Sequence, residues 1–289
     1  MTIRRKFERI STPPAQPGFL GAGHIARPVI YGDFNDTDPF ILLMDDMLDK
    51  KDEIPVGGPH PHAGFETVTL VLEGEIGDGE EKMSKGDLQL MTAGSGVVHT
   101  ETIDKKMKMR ILQLWLSLPA KHRWAQPRLQ DLKAADAPSV SVGGAHIKLY
   151  SGKLAGISSP IRNYTPMILA DISMDNNATT SLELPARYNT MLYVLNGSVS
   201  VGEQTLGENQ AGWLDLHSVA EQSELSLNAG ATGARLILYS GQPTGDPIVS
   251  HGQFIGDTAA DITRLYHEYR QGKMPHIHDV HAAEEIGER

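Results

Sequence analysis

The chain has 289 residues, a formal net charge of −10 and no cysteine. The lack of cysteine excludes disulfides, thiolate metal sites and a cysteine nucleophile, and the negative charge argues against broad binding to nucleic acid or to an anionic membrane. No run of about eighteen apolar residues occurs, and the basic start lacks the apolar core of a secretory signal. We therefore expect a cytoplasmic protein of two domains.

Residues 1–30 contain Pro13, Pro14, Pro17 and several glycines, and they predict irregular chain. Beyond them, short runs of β-branched and aliphatic residues are separated by Gly, Pro, Asn and Asp at short intervals. This spacing is typical of an all-β sandwich or barrel. The runs are FETVTLVLEGEI (65–76), MRILQLWLSL (109–118), PMILADISM (166–174), TMLYVLNGSVSV (190–201) and ARLILYSG (234–241).

Two features indicate where the domains begin and end. The segment AADAPSVSVGG at 134–144 predicts a linker, and Thr258 can cap a helix whose apolar residues recur at helical spacing until Gly272. The predicted divisions are an N-terminal domain at 1–133, a second domain at 145–256, and a short helix with a polar tail at 257–289.

An internal repeat indicates that the two domains share a fold. The run FETVTLVLEGEI (65–76) aligns without gaps with YNTMLYVLNGSV (188–199), and both lead from an aromatic residue through Thr into a strand that ends at Gly. The same offset places Glu183 and Pro185 where the first copy has a pair of histidines. We therefore expect the second domain to have no metal site.

Two short motifs carry the candidate chemistry. His60 and His62 are two residues apart before a predicted strand, and His99 and Glu101 repeat that spacing after a glycine turn. Residues i and i+2 of a strand point to the same face, so each motif can aim two ligands together. Three imidazoles and one carboxylate suit a divalent iron, nickel, copper, manganese or zinc ion. A single H-x-H pair is more often structural, but two such pairs in a repeated β frame favour a metal.

Four segments spread along the chain carry a family resemblance: PHPHAGFETVTLVLEGE, KGDLQLMTAGSGVVHTE, LQLWLSLP and HGQFIGDTAADITRLYHEYRQGKM. They resemble the pirin family, a branch of the bicupins, over about residues 15 to 274. The resemblance implies two tandem antiparallel β-sandwich or jelly-roll cupin barrels, a short C-terminal helix, and one metal in the N-terminal barrel.

The resemblance also implies a ligand set. In pirins both residues of each motif bind the metal, which here implies His60, His62, His99 and Glu101. Many other cupins use the glutamate of the first motif instead, which is Glu66 in this chain. The pirin pattern implies that Glu66 belongs to the framework around the ligands.

Two segments depart from these expectations or add to them. Many pirins have a longer segment where this chain has only GDGEEKMS at 77–84. The resemblance therefore does not determine how a substrate reaches the site in this chain. The sequence HIHDVH at 276–281 repeats the H-x-H pattern, but it lies in the polar tail and is expected to bind metal only adventitiously.

Three functions are compatible with this ligand set. Some bacterial pirins cleave the flavonol quercetin with dioxygen, which implies a quercetin 2,3-dioxygenase-like enzyme with Fe(II) as the favoured ion and Ni, Cu, Mn, Co or Zn as alternatives. Its partners would be a flavonol-like aromatic substrate and dioxygen, and Glu101 would act as both ligand and catalytic base.

The other two functions are not enzymatic. Pirins also act as metal- or redox-sensing regulators that bind a transcription factor or a metabolic enzyme, so a protein partner is the alternative. A structural or storage cupin, whose metal only stabilises the barrel, is the third. We favour the enzyme because four protein ligands leave two positions of an octahedral ion open.

Overall fold

The computed structural model describes residues 2–77, 82–219 and 221–280 of the chain. Antiparallel strands make up most of it, which confirms the predicted all-β fold with a short C-terminal helix. No helix in these ranges is long and apolar enough to cross a bilayer. Residues 78–81 of the short segment 77–84 and His281 of the tail lie outside the described ranges.

The regular elements follow one another along the whole described chain. The first thirteen strands are β1 Ile3–Arg4, β2 Phe7–Ser11, β3 Gln16–Pro17, β4 His24–Ile30, β5 Phe40–Lys50, β6 His60–His62, β7 Phe65–Glu73, β8 Glu75–Ile76, β9 Met83–Ser84, β10 Leu88–Thr92, β11 Val97–His99, β12 Met107–Ser117 and β13 Arg128–Leu132. The others are β14 Ser139–Val142, β15 Ala145–Ser151, β16 Lys153–Leu154, β17 Ile157–Ser158, β18 Met167–Met174, β19 Thr179–Pro185, β20 Asn189–Val201, β21 Gln204–Gly207, β22 Ala211–Leu214, β23 Gln222–Gly241, β24 Val249–His251 and β25 Phe254–Gly256, followed by helix α1 Ala259–Arg270.

The chain divides into two compact units, and each collects segments that are far apart in sequence. The histidine unit consists of Ala15–Tyr31, Phe40–Ala134 and Thr244–Arg289. The second unit consists of Met1–Pro14, Gly32–Pro39 and Ala135–Pro243. The predicted domains at 1–133, 145–256 and 257–289 stay a prediction, because compactness does not test which segments fold independently.

In the histidine unit, seven strands form a sheet in the order β13-β10-β7-β12-β5-β4-β3. The central strand β7 is buried from Phe65 to Leu72, which explains its nearly continuous run of apolar and threonine residues. Strands β6 and β11 form a separate antiparallel pair. This pair carries the histidines.

The second unit repeats this arrangement. Its main sheet has the order β14-β15-β18-β23-β20-β22-β2, so β20 lies between β22 and β23 as β7 lies between β10 and β12. The aligned runs 65–76 and 188–199 therefore form equivalent central strands, which confirms the repeat inferred from the sequence.

The interior of the second unit is filled by apolar side chains, among them several leucines. On β19 the side chains of Leu182 and Leu184 are buried, and Leu225 of the neighbouring strand β23 is buried with them. Because strand residues alternate between faces, Glu183 and Pro185 lie on the other side of β19. The two positions that align with the histidine pair thus face away from this core.

The prediction of irregular chain for residues 1–30 is wrong, and the predicted linker contains a strand. Residues 1–30 form β1 to β4, and β2 pairs with β22 while β4 pairs with β5. The prolines do not prevent this, because Pro13 and Pro14 lie between strands and Pro17 lies in the edge strand β3. The predicted linker at 134–144 contains β14, which pairs with β15 and packs Val140 against the core.

Helix α1 begins and ends where the sequence predicts. The hydroxyl of Thr258 accepts a hydrogen bond from the amide of Asp261 at 3.2 Å, and Asp261 Oδ2 accepts one from the amide of Thr258 at 2.9 Å. These two bonds form a capping box. Ile262 and Leu265 are buried, and Gly272 follows the helix with φ of 66°.

We expect Thr258→Ala to lower the free energy of unfolding by about 1 kcal/mol, because the amide of Asp261 loses its side-chain acceptor, the Thr258 hydroxyl. Urea unfolding followed by circular dichroism measures this change. Thr263→Ala, at an exposed position inside the same helix, is the matched control and should be neutral or slightly stabilising, since alanine has the higher helix propensity. Equal losses in both variants would contradict the capping role.

Candidate metal centre

Three histidine rings meet on the pair formed by β6 and β11. The register places His60 directly opposite His99, and His62 lies two residues further along on the same face. The Nε2 atom of His99 lies 2.7 Å from Nε2 of His60 and 3.0 Å from Nε2 of His62. The structure thus brings together three of the four predicted ligands.

The spacing of the three ring nitrogens suits shared binding of a metal ion better than hydrogen bonds between the rings. Nδ1 of His60 donates a hydrogen bond to the carbonyl of Gly58 at 2.9 Å, so its Nε2 presents a lone pair to the other rings. Nitrogens in neighbouring octahedral positions around an ion with bonds of about 2.1 Å lie about 3 Å apart, close to the spacings seen here. Nδ1 of His62 is buried without a partner among the described residues.

Burial keeps the rings of His62 and His99 in the neutral form that metals bind. Burial lowers the pKa of His62 well below its usual value, and neighbouring His99 and His60 add to the effect. Burial, followed by the charges of His60, His276 and His278, lowers the pKa of His99 to about 3. At neutral pH a metal ion therefore does not have to displace a proton from a charged ring of His62 or His99.

Glu101 lies beside this cluster rather than within it. Its carboxylate approaches Nδ1 of His99 at 3.9 Å, which is too long for a hydrogen bond, and its side chain is 32% exposed. Burial in the pocket raises the pKa of Glu101; His60 opposes this shift, and Asp46 adds to it. The roles of Glu101 as fourth ligand and as catalytic base stay predictions.

Glu66 belongs to the sheet that supports the cluster. It is fully buried on β7, opposite Thr92 of β10, and it accepts a hydrogen bond from the Thr92 hydroxyl at 2.8 Å. Arg128 lies 3.9 Å from the same carboxylate oxygen. These contacts agree with the framework role that the resemblance implies.

A buried arginine that the sequence did not single out ties three segments together behind the histidines. Arg123 is 0% exposed and donates to the carbonyl of Gly64 at 3.2 Å, to the hydroxyl of Ser117 at 3.1 Å and to Asp257 at 3.0 Å. Gly64 immediately precedes β7 and lies two residues after His62. No local pattern distinguishes such an arginine from a surface one, because its partners are far away in sequence.

The C-terminal HIHDVH segment is not an isolated polar tail. The amide of Val98 on β11 donates to the carbonyl of Pro275 at 2.9 Å, and Thr100 contacts Nε2 of His276 at 3.1 Å. Ile277 is buried against Met91, Ala93, Val97 and Leu129. The predicted polar tail therefore includes a buried apolar residue, Ile277, which anchors the segment beside His99; its expected adventitious metal binding stays a prediction.

A cavity of about 500 Å³ opens onto the histidines. Its walls are mostly apolar, and its polar groups beyond the predicted ligands are few. The volume lies within the range of small-molecule sites. The apolar lining includes Leu42, Met44, Val56, Ile103, Met109, Ile111 and Trp115, and the additional polar residues are His24, Asp46, Gln113 and Gln253.

Comparisons with known proteins agree on one family. A model described as Pirin matches residues 24–116, and a model described as Pirin C-terminal cupin domain matches residues 169–275. A pirin from Homo sapiens is 31% identical over 260 residues, which cover 86% of this chain and 86% of that protein. Pirin-like protein 2 from Arabidopsis thaliana is 31% identical over 82% of this chain and 75% of its own length.

Solved structures are similar over both units. A quercetin 2,3-dioxygenase from Acinetobacter baumannii has a TM-score of 0.82 at 26% identity and covers 95% of this chain and 99% of that one. A protein from Geobacillus kaustophilus has a TM-score of 0.77 at 32% identity and covers 86% of this chain and 100% of its own.

We expect the protein, prepared anaerobically with Fe(II), to hold about one metal ion per chain, and His62→Ala to hold only a small fraction of that amount. Elemental analysis against protein concentration measures the ratio. His278→Ala is the matched control, because His278 lies near the cluster without belonging to it. The three-histidine centre is wrong if His278→Ala loses as much metal as His62→Ala.

Proposed function

The chain belongs to the pirin family, and from that premise we propose that it is a mononuclear metal enzyme that cleaves flavonol-like substrates with dioxygen. The observation that carries the proposal is the convergence of three histidine nitrogens at a mostly apolar cavity of about 500 Å³. A planar aromatic molecule of flavonol size suits such a site. The similar structure from Acinetobacter baumannii, named as a quercetin 2,3-dioxygenase, supports the same reaction class.

In this proposal His60, His62, His99 and Glu101 hold one divalent ion. Imidazole and carboxylate suit Fe(II), which we favour, and also Ni, Cu, Mn, Co and Zn. When bound, the ion supplies a Lewis acid that brings the oxygens of the substrate and dioxygen together. Nδ1 of His60, bonded to the carbonyl of Gly58, fixes one ligand ring in place.

Glu101 would take the proton of the flavonol 3-hydroxyl group. A carboxylate that binds the ion can also act as a base, because it is an anionic donor with a second oxygen. Trp115 packs against His62 with ring centroids 5.4 Å apart, and Phe65 packs on Trp115 at 4.3 Å. These rings hold His62 in place and keep water from its inner side.

A metal- or redox-sensing regulator is the second candidate, and one observation favours it. Val98 of β11 is bonded through its backbone to Pro275, and the next residue in that segment, His276, contacts Thr100. A change at His99 would therefore reach a segment that includes the exposed His278, where a protein partner could recognise it. The mostly apolar cavity at the histidines has no use in this function, so we favour the enzyme.

We expect Glu101→Gln to lower quercetin cleavage by about 10²-fold or more, because the amide has neither the negative charge nor the basic oxygen. Glu66→Gln should have a milder effect, because Glu66 contacts Thr92 and Arg128 rather than the histidines. Oxygen consumption with quercetin and metal content, measured for both variants side by side, test this order.

Two results would redirect the proposal. If Glu66→Gln loses the metal while Glu101→Gln keeps it, the ligand set is that of the other cupins. If the wild-type protein holds iron and no flavonol consumes oxygen, the regulatory function replaces the enzymatic one.

A further inference from the structure

A buried histidine–aspartate pair forms part of the cavity wall. His24 is the first residue of β4, and Asp46 lies on the neighbouring strand β5. Nε2 of His24 lies 2.9 Å from Oδ1 of Asp46, with the two side chains 0% and 10% exposed. Both residues line the cavity that holds the three histidines and Glu101.

The backbone determines which way this hydrogen bond runs. The amide of Leu20 donates to Nδ1 of His24 at 3.0 Å, so Nδ1 is an acceptor and the ring proton is on Nε2. His24 therefore donates to Oδ1 of Asp46. Among the residues that the structure describes, the side-chain hydrogen bond of Asp46 goes to Oδ1, which leaves Oδ2 available.

The chain makes specific room for this arrangement. A Cβ atom placed on Gly18 would lie 2.1 Å from Nδ1 of His24, so the ring occupies space that any other residue at 18 would fill. Gly18 and Gly21 also bond to the backbone of His24, at 2.9 and 3.1 Å. The loop that contains Leu20 thus holds the imidazole in one orientation.

A carboxylate in a largely apolar wall is costly unless it has partners. His24 satisfies one oxygen of Asp46 and leaves the other for something inside the cavity. Asp46 and Glu101 line the same cavity. A ligand group that donates a hydrogen bond would satisfy Oδ2.

We propose that Asp46, positioned by His24, is a specificity residue that accepts a hydrogen bond from a hydroxyl group on an aromatic ligand, other than the oxygens that face the histidines. The inference rests on the proposed function for the ligand class and adds the group by which that ligand is selected. A hydroxylated aromatic ring fits the surroundings, because the walls beside Asp46 are apolar and Trp115 lies among them. A site built to bond a hydroxyl group discriminates strongly against analogues that lack it.

The alternative is a purely structural role, in which the His24–Asp46 pair only holds the loop of residues 18–24 against β5. A purely structural role would make Asp46→Asn weaken every ligand equally and lower the free energy of unfolding. A recognition role instead makes the loss depend on the hydroxyl groups of the ligand. The two readings therefore differ in a ratio of affinities.

The experiment measures binding without turnover. The metal-loaded protein is titrated anaerobically with quercetin and with 3-hydroxyflavone, which shares the 3-hydroxy-4-keto oxygens and lacks the other hydroxyl groups. Calorimetry gives the affinities, and quenching of Trp115 in the cavity is the second readout. Asp46→Asn is compared with the wild type and with Asp131→Asn, an exposed aspartate on β13 that bonds Gln89.

We expect Asp46→Asn to lose about tenfold or more affinity for quercetin relative to its loss for 3-hydroxyflavone, since a hydrogen bond to a charged group is removed. Asp131→Asn should keep the wild-type ratio. Equal losses for the two ligands, or no binding of either by the wild type, overturn the inference. If Asp46→Asn does not fold, Asp46→Ser replaces it with the same expected ratio.

The outcome also separates this inference from the proposed reaction. Binding of quercetin that depends on Asp46, with no consumption of oxygen in air, supports the recognition role and removes the dioxygenase. Consumption of oxygen by the wild type, with an unchanged affinity ratio in Asp46→Asn, supports the dioxygenase and removes the recognition role of Asp46.

Discussion

The candidate site depends on the register between β6 and β11. Each strand has only three residues, and a shift of one position would turn the histidines to opposite faces. Contacts on both sides hold the register: Gly64 bonds the carbonyl of Gly94 at 2.8 Å, and Val98 bonds that of Pro275 at 2.9 Å. So short a pair is stable only because the surrounding unit holds it.

The two units show how one β frame can be kept with and without a site. In the histidine unit the inner face of a short strand pair presents imidazoles to a cavity. In the second unit Leu182 and Leu184 fill the corresponding interior, and Glu183 faces away from it. Whether a strand presents imidazoles or leucines to the interior follows from which residue type occupies its alternate positions.

Buried polar groups in the histidine unit are mostly paired. Those that face the cavity lie where a metal or ligand could bind. Arg123 and Glu66 find partners in distant strands and loops, so they stabilise the frame. The histidine nitrogens and Oδ2 of Asp46 instead face the cavity. Groups that the protein leaves available at a mostly apolar cavity are the ones suited to a metal and a ligand.

Local patterns along the chain predict part of this structure. The composition of short runs predicts strands, an alignment of two runs predicts the repeat, and periods of 2 and 3.6 residues predict the same-face placement of His60 and His62 and the helix after Thr258. Long-range contacts decide the rest: residues 3–11 join the second unit, Arg123 is buried, Ile277 anchors the tail, and His24 positions Asp46. These features depend on contacts between residues far apart along the chain, and no local pattern records which distant partner a side chain will meet.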